Sequence, residues 1–128
     1  MENIQQILTK EIKNSDSNHI FLYKIDNYWF AYERSAFYLF SICNVDAIFK
    51  LPDPASENVI LISVLKDEIE AENPNLKVLE RSDSKMILDC RITCKGFLQW
   101  KEGLLPSFKE FNFAKIMNEY YYNSTMSN

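Results

Sequence analysis

The stretch that decides the fold is residues 19–32, HIFLYKIDNYWFAY. His19–Ile25 and Tyr28–Tyr32 are rich in β-branched and aromatic residues, which favour strands. Only Asp26 and Asn27 separate the two runs, and Asp and Asn are the non-glycine residues that best tolerate the positive φ angles of a two-residue type I′ turn. The stretch therefore predicts a tight β-hairpin.

The segments on either side of this hairpin predict helices. Before it, apolar residues recur at spacings of three and four, and Asn3 with Gln6 suits a helix cap, so residues 3–13 predict an amphipathic helix. The apolar positions are Ile4, Ile7, Leu8 and Ile12. After the hairpin, Ser35 predicts the N-cap of a second helix, Ala36–Asn44, that returns the chain to the sheet.

The rest of the chain alternates strands with helices. Val59–Leu65 is a continuous apolar run typical of a central strand, and Ser82-Asp83-Ser84 marks the turn of a second hairpin. The other predicted elements are strand Ala47–Leu51, acidic helix Lys66–Asn73, strands Leu76–Arg81 and Lys85–Ile92, and helices Gly96–Leu105 and Asn112–Asn123. We expect one α/β domain of mixed α+β class over residues 1–123, with a mixed central sheet of about six strands flanked by helices, and a frayed tail at 124–128.

Composition and charge limit the function. The 128 residues suffice for one hydrophobic core, and a net charge of -4 disfavours unaided binding to a phosphate backbone. No apolar run approaches the roughly eighteen residues of a membrane helix, and the polar start Met1-Glu2-Asn3 lacks the basic and apolar regions of a signal peptide. The three cysteines form no C-x-x-C pair, so we expect reduced thiols in a cytoplasmic protein that does not bind membranes.

Motifs for catalysis or cofactor binding are sparse. Gly96 and Gly103 are the only glycines, whereas phosphate-binding loops need several closely spaced ones. His19 is the only histidine, so a Ser-His-Asp or Cys-His site would rest on it alone, and a surface histidine at a strand end is the simpler interpretation. We therefore expect a protein that is not an enzyme and has no cofactor or metal.

Three metal hypotheses each have a simpler structural alternative. Cys90 and Cys94 with His19 suggest a zinc site, but two small thiols in a core explain these cysteines more simply. Asp53 with Asp89-Cys90-Arg91 approximates a metal nuclease, but arginine does not replace lysine as a proton-transfer group. The third hypothesis, a cluster of four carboxylates, is weakened because these side chains are spread around a helix rather than converging on one point. These are Asp67, Glu68, Glu70 and Glu72.

Aromatic residues are concentrated between positions 23 and 40. They are Tyr23, Tyr28, Trp29, Phe30, Tyr32, Phe37, Tyr38 and Phe40. Such a density supplies either an aromatic core or stacking platforms for bases. Strand alternation places Tyr28, Phe30 and Tyr32 on one face of the sheet and Trp29 on the other. Each face then needs a helix or a partner to cover it.

Residues 23–36, YKIDNYWFAYERSA, resemble the N-terminal mismatch-recognition domain of the DNA mismatch repair protein MutS. That family shows the pattern Tyr/Phe-Arg-x-Gly-Asp-Phe-Tyr-Glu-x-Phe-Tyr-x-Asp-Ala, which aligns with this segment without a gap. Its order of a helix, a hairpin, a helix and further strands is also similar. The resemblance implies that Tyr28 is the aromatic that stacks on a mispaired base and that Lys24 replaces the family arginine. Phe30 stands where the family has its base-binding glutamate.

Three function hypotheses follow. The first is a stand-alone, non-enzymatic binding or accessory module similar to this MutS domain, with Lys24, Tyr28 and Phe30 as its surface and duplex DNA as its partner. The second is a protein–protein interaction module without nucleic-acid binding, which uses exposed hairpin aromatics or the run Tyr120-Tyr121-Tyr122. The third is a hydrolase whose site the sequence does not reveal.

Overall fold

The structure is a computed structural model that describes residues 3–15, 17–51 and 59–104. It confirms the α+β class and the six strands. The elements are α1 (Ile4–Lys13), β1 (His19–Ile25), β2 (Tyr28–Tyr32), α2 (Glu33–Ile42), β3 (Ala47–Leu51), β4 (Val59–Leu65), α3 (Lys66–Glu70), β5 (Leu76–Arg81), β6 (Lys85–Cys90) and α4 (Phe97–Leu104). The predicted helix Asn112–Asn123 and the tail at 124–128, and so the end of the expected domain, lie outside the described residues.

The six strands form one sheet in the order β3-β4-β2-β1-β6-β5. All five strand pairs are antiparallel, which corrects the expectation of a sheet of mixed direction. The reason is the position of β4. The crossover through α2 makes β2 and β3 parallel to each other, but β4 lies between them and pairs antiparallel with both.

The first hairpin has the predicted strands and the predicted two-residue turn. Ile25 lies opposite Tyr28, and Lys24 lies opposite Trp29. Only Asp26 of the two turn residues has a positive φ, 54°, so the turn is not the expected type I′, which needs a positive φ at both. The Asn27 carbonyl accepts a 2.8 Å hydrogen bond from the Lys66 amide at the start of α3. This contact with α3 constrains the turn, in addition to the local preferences of Asp26 and Asn27 from which the turn type was predicted.

Helices cover both faces of the sheet, and each face has its own core. The face under α2, α3 and α4 carries Trp29, Ala31 and alternate residues of β1, β4 and β6, which we call the α2-side core. The face under α1 carries Phe30, Tyr32 and the intervening residues of the same strands except β6, which we call the α1-side core. The predicted separation of Tyr28, Phe30 and Tyr32 from Trp29 is therefore confirmed.

The first two helices differ in how well local signals predict their ends. Asn3 and Gln6 form a complete capping box at the start of α1, as predicted. In contrast, α2 begins at Glu33 rather than Ala36, and Ser35 lies inside its first turn rather than at the N-cap. Along α1, the predicted apolar stripe fails at its end, because Ile12 is 76% exposed while Glu11 is 2% exposed.

The second hairpin, β5–β6, forms the end of the sheet. β5 has the predicted bounds, whereas β6 ends at Cys90 rather than Ile92. A β-bulge interrupts the pairing between Val78 and Glu80. Every residue of β5 after Leu76 is exposed, so this strand lies at the uncovered rim of the described sheet.

Candidate functional site

The structure does not bring the three predicted site residues together. Tyr28 and Phe30 lie on the α1 side of the sheet, with their ring centroids 6.5 Å apart. Lys24 lies opposite Trp29 on the other side, and its Nζ is 6.0 Å from the centroid of the Trp29 ring. The sheet therefore separates the lysine from the two aromatic rings with which it was predicted to share one binding surface.

The exposure of these rings limits what they can bind. Phe30 is only 3% exposed and belongs to the α1-side core, so its ring has no open face for a ligand. Tyr28 is half-buried and packs against the same core. Most other hairpin aromatics are also buried, including Trp29 at 1% and Tyr32 at 5%. The aromatic density of this segment mainly fills two cores.

The candidate metal ligands are also dispersed. Among the described residues, no group of three or more His, Cys, Asp or Glu side chains is placed to hold a metal ion. His19 makes an edge contact with the Phe21 ring on the α1 side, whereas Cys90 belongs to the α2-side core. The zinc hypothesis therefore loses its third ligand. Asp53, the first carboxylate of the nuclease hypothesis, lies outside the described residues.

One buried carboxylate, that of Glu11, was not predicted from the sequence. Glu11 on α1 accepts a 2.9 Å hydrogen bond from the Ser35 amide and a 2.6 Å hydrogen bond from the Ser35 hydroxyl. The Ser35 hydroxyl oxygen in turn accepts a hydrogen bond from the Phe21 amide. Tyr32 provides no side-chain cap for α2, so Glu11 supplies the cap from a distant part of the chain.

Burial changes the titration of this carboxyl group. Loss of solvent raises the pKa of Glu11 from 4.5 to about 7, although the hydrogen bonds from Ser35 and Asn14 oppose the rise. A perturbed acid of this kind often marks a functional site. Glu11, however, lines neither of the two cavities beside the β5–β6 hairpin. Its contacts are those of a helix cap that joins α1, β1 and α2.

A second buried polar pair ties α2 to α4. The Nζ of Lys101 lies 2.5 Å from Oε1 of Glu33, and both side chains are largely buried. Oε2 of Glu33 accepts a 3.3 Å hydrogen bond from the Ile60 amide of β4. Glu33 holds this position with a positive φ of 47°, which is uncommon for a glutamate. The pair fixes the start of α2 against the sheet and α4.

A cavity of about 300 Å³ lies on the α1 side of the β5–β6 hairpin, and we call it the α1 pocket. Phe21 and Tyr23 of β1 line it together with Ile87 of β6. Lys10 and Lys85 also line it, and the Lys10 ammonium is 5.8 Å from the centroid of the Phe21 ring. This composition suits a small planar ligand that carries negative charge.

A larger cavity of about 770 Å³ lies on the opposite side of the same hairpin, and we call it the edge groove. It extends from α3 and the following loop to β5. Its apolar lining consists of Ile69, Leu76, Val78, Met86 and Leu88, and its polar lining includes Glu70, Glu72, Arg81 and Arg91. Glu70 is paired with Arg81 at 2.6 Å. Within the described ranges, Arg91 makes no side-chain hydrogen bond or ion pair.

Sequence reasoning missed both Glu11 and the edge groove, for different reasons. Glu11 lies three residues after Leu8 and four after Ile7, so the helical spacing alone could have placed it on the apolar stripe of α1. The groove had no such signal, because it depends on which strand ends the sheet. Strand order is a property of the whole chain.

No protein-family model, curated protein or solved structure matches this chain. Within residues 3–15, 17–51 and 59–104, no helix has the length and apolar character needed to cross a membrane. The relation to the MutS domain therefore stays a prediction that depends on residues 23–36, and function has to be argued from the two sides of the β5–β6 hairpin.

Proposed function

We propose that this chain is a non-enzymatic interaction module that captures an extended segment of a partner protein along the outer edge of β5. The proposal depends on one observation: an exposed strand that ends the described sheet lies directly beside an apolar groove. An added strand gains affinity from main-chain hydrogen bonds, and it gains specificity when alternate side chains enter a pocket. Both requirements are met at β5.

The direction of the β5 backbone supports this proposal. The Arg91 amide donates to the Asn75 carbonyl at 2.8 Å, so residues 75 and 91 form a hydrogen-bonded pair. Hydrogen-bonded and non-hydrogen-bonded pairs alternate along an antiparallel ladder. Lys77 therefore points its amide and carbonyl toward β6, whereas Val78 points both groups outward. Val78 thus offers one donor and one acceptor to an incoming strand.

The side chains around this edge indicate what the partner carries. A residue placed opposite Val78 shares its face of the sheet, so its side chain points to the edge groove and should be apolar. Residues 76–95 contain five Lys or Arg and three Asp or Glu, a net charge of +2 in a chain of -4. We therefore expect a segment that alternates β-branched apolar residues with acidic ones.

A synthetic probe tests this expectation directly. A fluorescein-labelled peptide of alternating valine and glutamate should bind the full chain in a fluorescence anisotropy titration. The matched control is the same peptide with alternate backbone nitrogens methylated, which removes donors without changing the side chains. We expect the control to bind about five- to thirtyfold more weakly, because one to two hydrogen bonds at about 1 kcal/mol each are lost. Equal binding would refute strand addition.

Two variants at position 78 distinguish loss of the binding edge from loss of the fold. Val78→Pro removes the outward amide but no hydrogen bond to β6, and proline is tolerated on such an edge. Val78→Thr keeps both the amide and the β-branched shape. We expect the proline variant to lose the peptide, the threonine variant to retain it, and both to remain folded by circular dichroism. A folded proline variant that binds normally would place the peptide elsewhere.

The charge requirement has its own test. Arg91→Ala should weaken binding of the same peptide by roughly two- to fivefold, the range expected for an exposed ion pair. Lys95→Ala is the matched control, because it removes an equal charge from the nearby loop without touching the groove. If both variants weaken binding equally, the effect is one of overall charge rather than of a contact with Arg91.

Duplex DNA binding, which the MutS resemblance implies, is a second candidate function. One observation favours it: the α1 pocket has an aromatic lining with two lysines and lies on the same side of the sheet as Tyr28. Labelled mismatched and matched duplexes should be titrated across a salt series, with Tyr28→Ala and Lys85→Ala as variants. Absence of binding even at low salt removes DNA as a partner.

A further inference from the structure

Two cysteine thiols meet at the end of β6. Cys90 is the last residue of this strand, and Cys94 follows in the connection to α4. The Cys90 thiol donates to the Ile92 carbonyl at 3.2 Å, and the Cys94 thiol approaches the same oxygen at 3.9 Å. Both sulfur atoms are therefore held around one carbonyl group.

We propose that Cys90 and Cys94 are a redox-sensitive dithiol that oxidised glutathione converts into an intramolecular disulfide. A disulfide requires its two sulfurs to approach to about 2.05 Å with suitable side-chain torsions. Both sulfurs already lie within 3.9 Å of the Ile92 carbonyl oxygen, and residues 91–96 lie outside any helix or strand, so the segment between the cysteines has freedom to adjust. This inference is independent of peptide capture at β5.

The exposure of the two thiols sets the order of the steps. Cys94 is half-buried, whereas Cys90 is buried. The Cys94 thiolate attacks one sulfur of oxidised glutathione and releases the first glutathione, which takes up the proton that Cys94 lost. Cys90 then attacks the Cys94 sulfur and releases the second glutathione with the second proton. The protein loses two electrons and two hydrogens, and one oxidised glutathione becomes two reduced ones.

The surroundings of Cys90 slow its attack in the second step, because they lower the fraction of its thiol that is ionised. Burial raises the pKa of the Cys90 thiol, and the neighbouring Cys94 raises it further, although the contact with Ile92 opposes this. Cys43, the third thiol, also packs against the α2-side core, and burial raises its pKa to about 11. Cys43 is therefore a poor competitor for the oxidant.

The tryptic map of the chain distinguishes the possible products. Cleavage after Lys85, Arg91 and Lys95 places Cys90 in peptide 86–91 and Cys94 in peptide 92–95, while Cys43 lies in peptide 35–50. After oxidation with glutathione disulfide, we expect peptides 86–91 and 92–95 to appear joined and about two daltons lighter than their sum. Dithiothreitol should separate them. A stable glutathione adduct on Cys94, or a bridge to peptide 35–50, would overturn the proposal.

Two cysteine variants and a comparison in urea test whether the folded structure brings Cys90 and Cys94 together. Cys43→Ser should form the same bridge, and Cys94→Ser should form none. The equilibrium with glutathione should be measured for the folded chain and again in urea. If the fold holds the thiols together, the effective concentration of one thiol toward the other is at least about tenfold higher in the folded chain. An equal or lower value would mean that short sequence separation alone accounts for the disulfide.

Discussion

The buried carboxylate of Glu11 should make the stability of this protein depend on pH in a direction opposite to that of most glutamates. Its pKa rises from 4.5 to about 7 on folding because solvent is lost around it. Between these two values the folded state holds a proton that the unfolded state has released. The free energy of unfolding therefore falls as pH rises from 4.5 to about 7, and this group has no further effect above that range.

The size of the effect follows from the shift. A change of roughly 2.5 in pKa corresponds to about 3 kcal/mol at 1.36 kcal/mol for each unit. In protonated glutamic acid and in glutamine alike, the carbonyl oxygen accepts from the Ser35 amide, and the neighbouring O–H or N–H group donates to the Ser35 hydroxyl oxygen instead of accepting from it. Glu11→Gln should therefore match the wild type near pH 4.5 and should be more stable by up to about 3 kcal/mol at pH 8.

Urea denaturation at half-unit steps between pH 4.5 and 8 measures this difference. All other side chains are common to both proteins, so their contributions cancel when the two unfolding free energies are subtracted. Glu72→Gln is the matched control, because it makes the same change at an exposed position. A flat difference between Glu11→Gln and the wild type across this range would refute the burial of Glu11 and its role as the cap of α2.

Two further pairs of variants test the buried contacts. Lys101→Ala leaves the buried Glu33 carboxylate without its cation, so we expect a loss of about 3–5 kcal/mol by urea denaturation, and the double change to Lys101→Met with Glu33→Gln should recover part of it. Phe30→Ala should cost about 3–5 kcal/mol because the ring is fully enclosed, whereas Tyr28→Ala should cost clearly less. Similar losses at positions 28 and 30 would contradict their different burial.

Features set by neighbouring residues were predictable from the sequence. The capping box of Asn3 and Gln6, the strands of the first hairpin and the two-residue separation between them all depend on short-range chemistry. The predicted hairpin also implied the position of Lys24, which the comparison with the MutS pattern did not take into account. A two-residue turn that places residue 25 opposite residue 28 also places Lys24 opposite Trp29, and so on the other face from Tyr28.

Features set by distant residues were not predictable in this way. Ser35 has the residue type of an N-cap, but the carboxylate that caps α2 comes from Glu11, 24 positions earlier in the chain. This distance along the chain matters because local sequence patterns indicate hydrogen-bond partners only among nearby residues. Likewise, β5 has three apolar residues of six and β6 has four of six, so their composition does not tell which strand of the second hairpin lies inside the sheet and which lies at its rim. The candidate binding edge is a result of strand order.

The same strand order gives a test that needs no partner. In the free chain, the amide of Lys77 is bonded to β6 and that of Val78 points outward, so neighbouring amides on one strand should differ in hydrogen exchange. Exchange followed by nuclear magnetic resonance at low protein concentration should show Lys77 protected and Val78 unprotected, and added peptide should then protect Val78. If the Val78 amide is already protected in the free chain, the edge is covered from the start and strand addition has no place to occur.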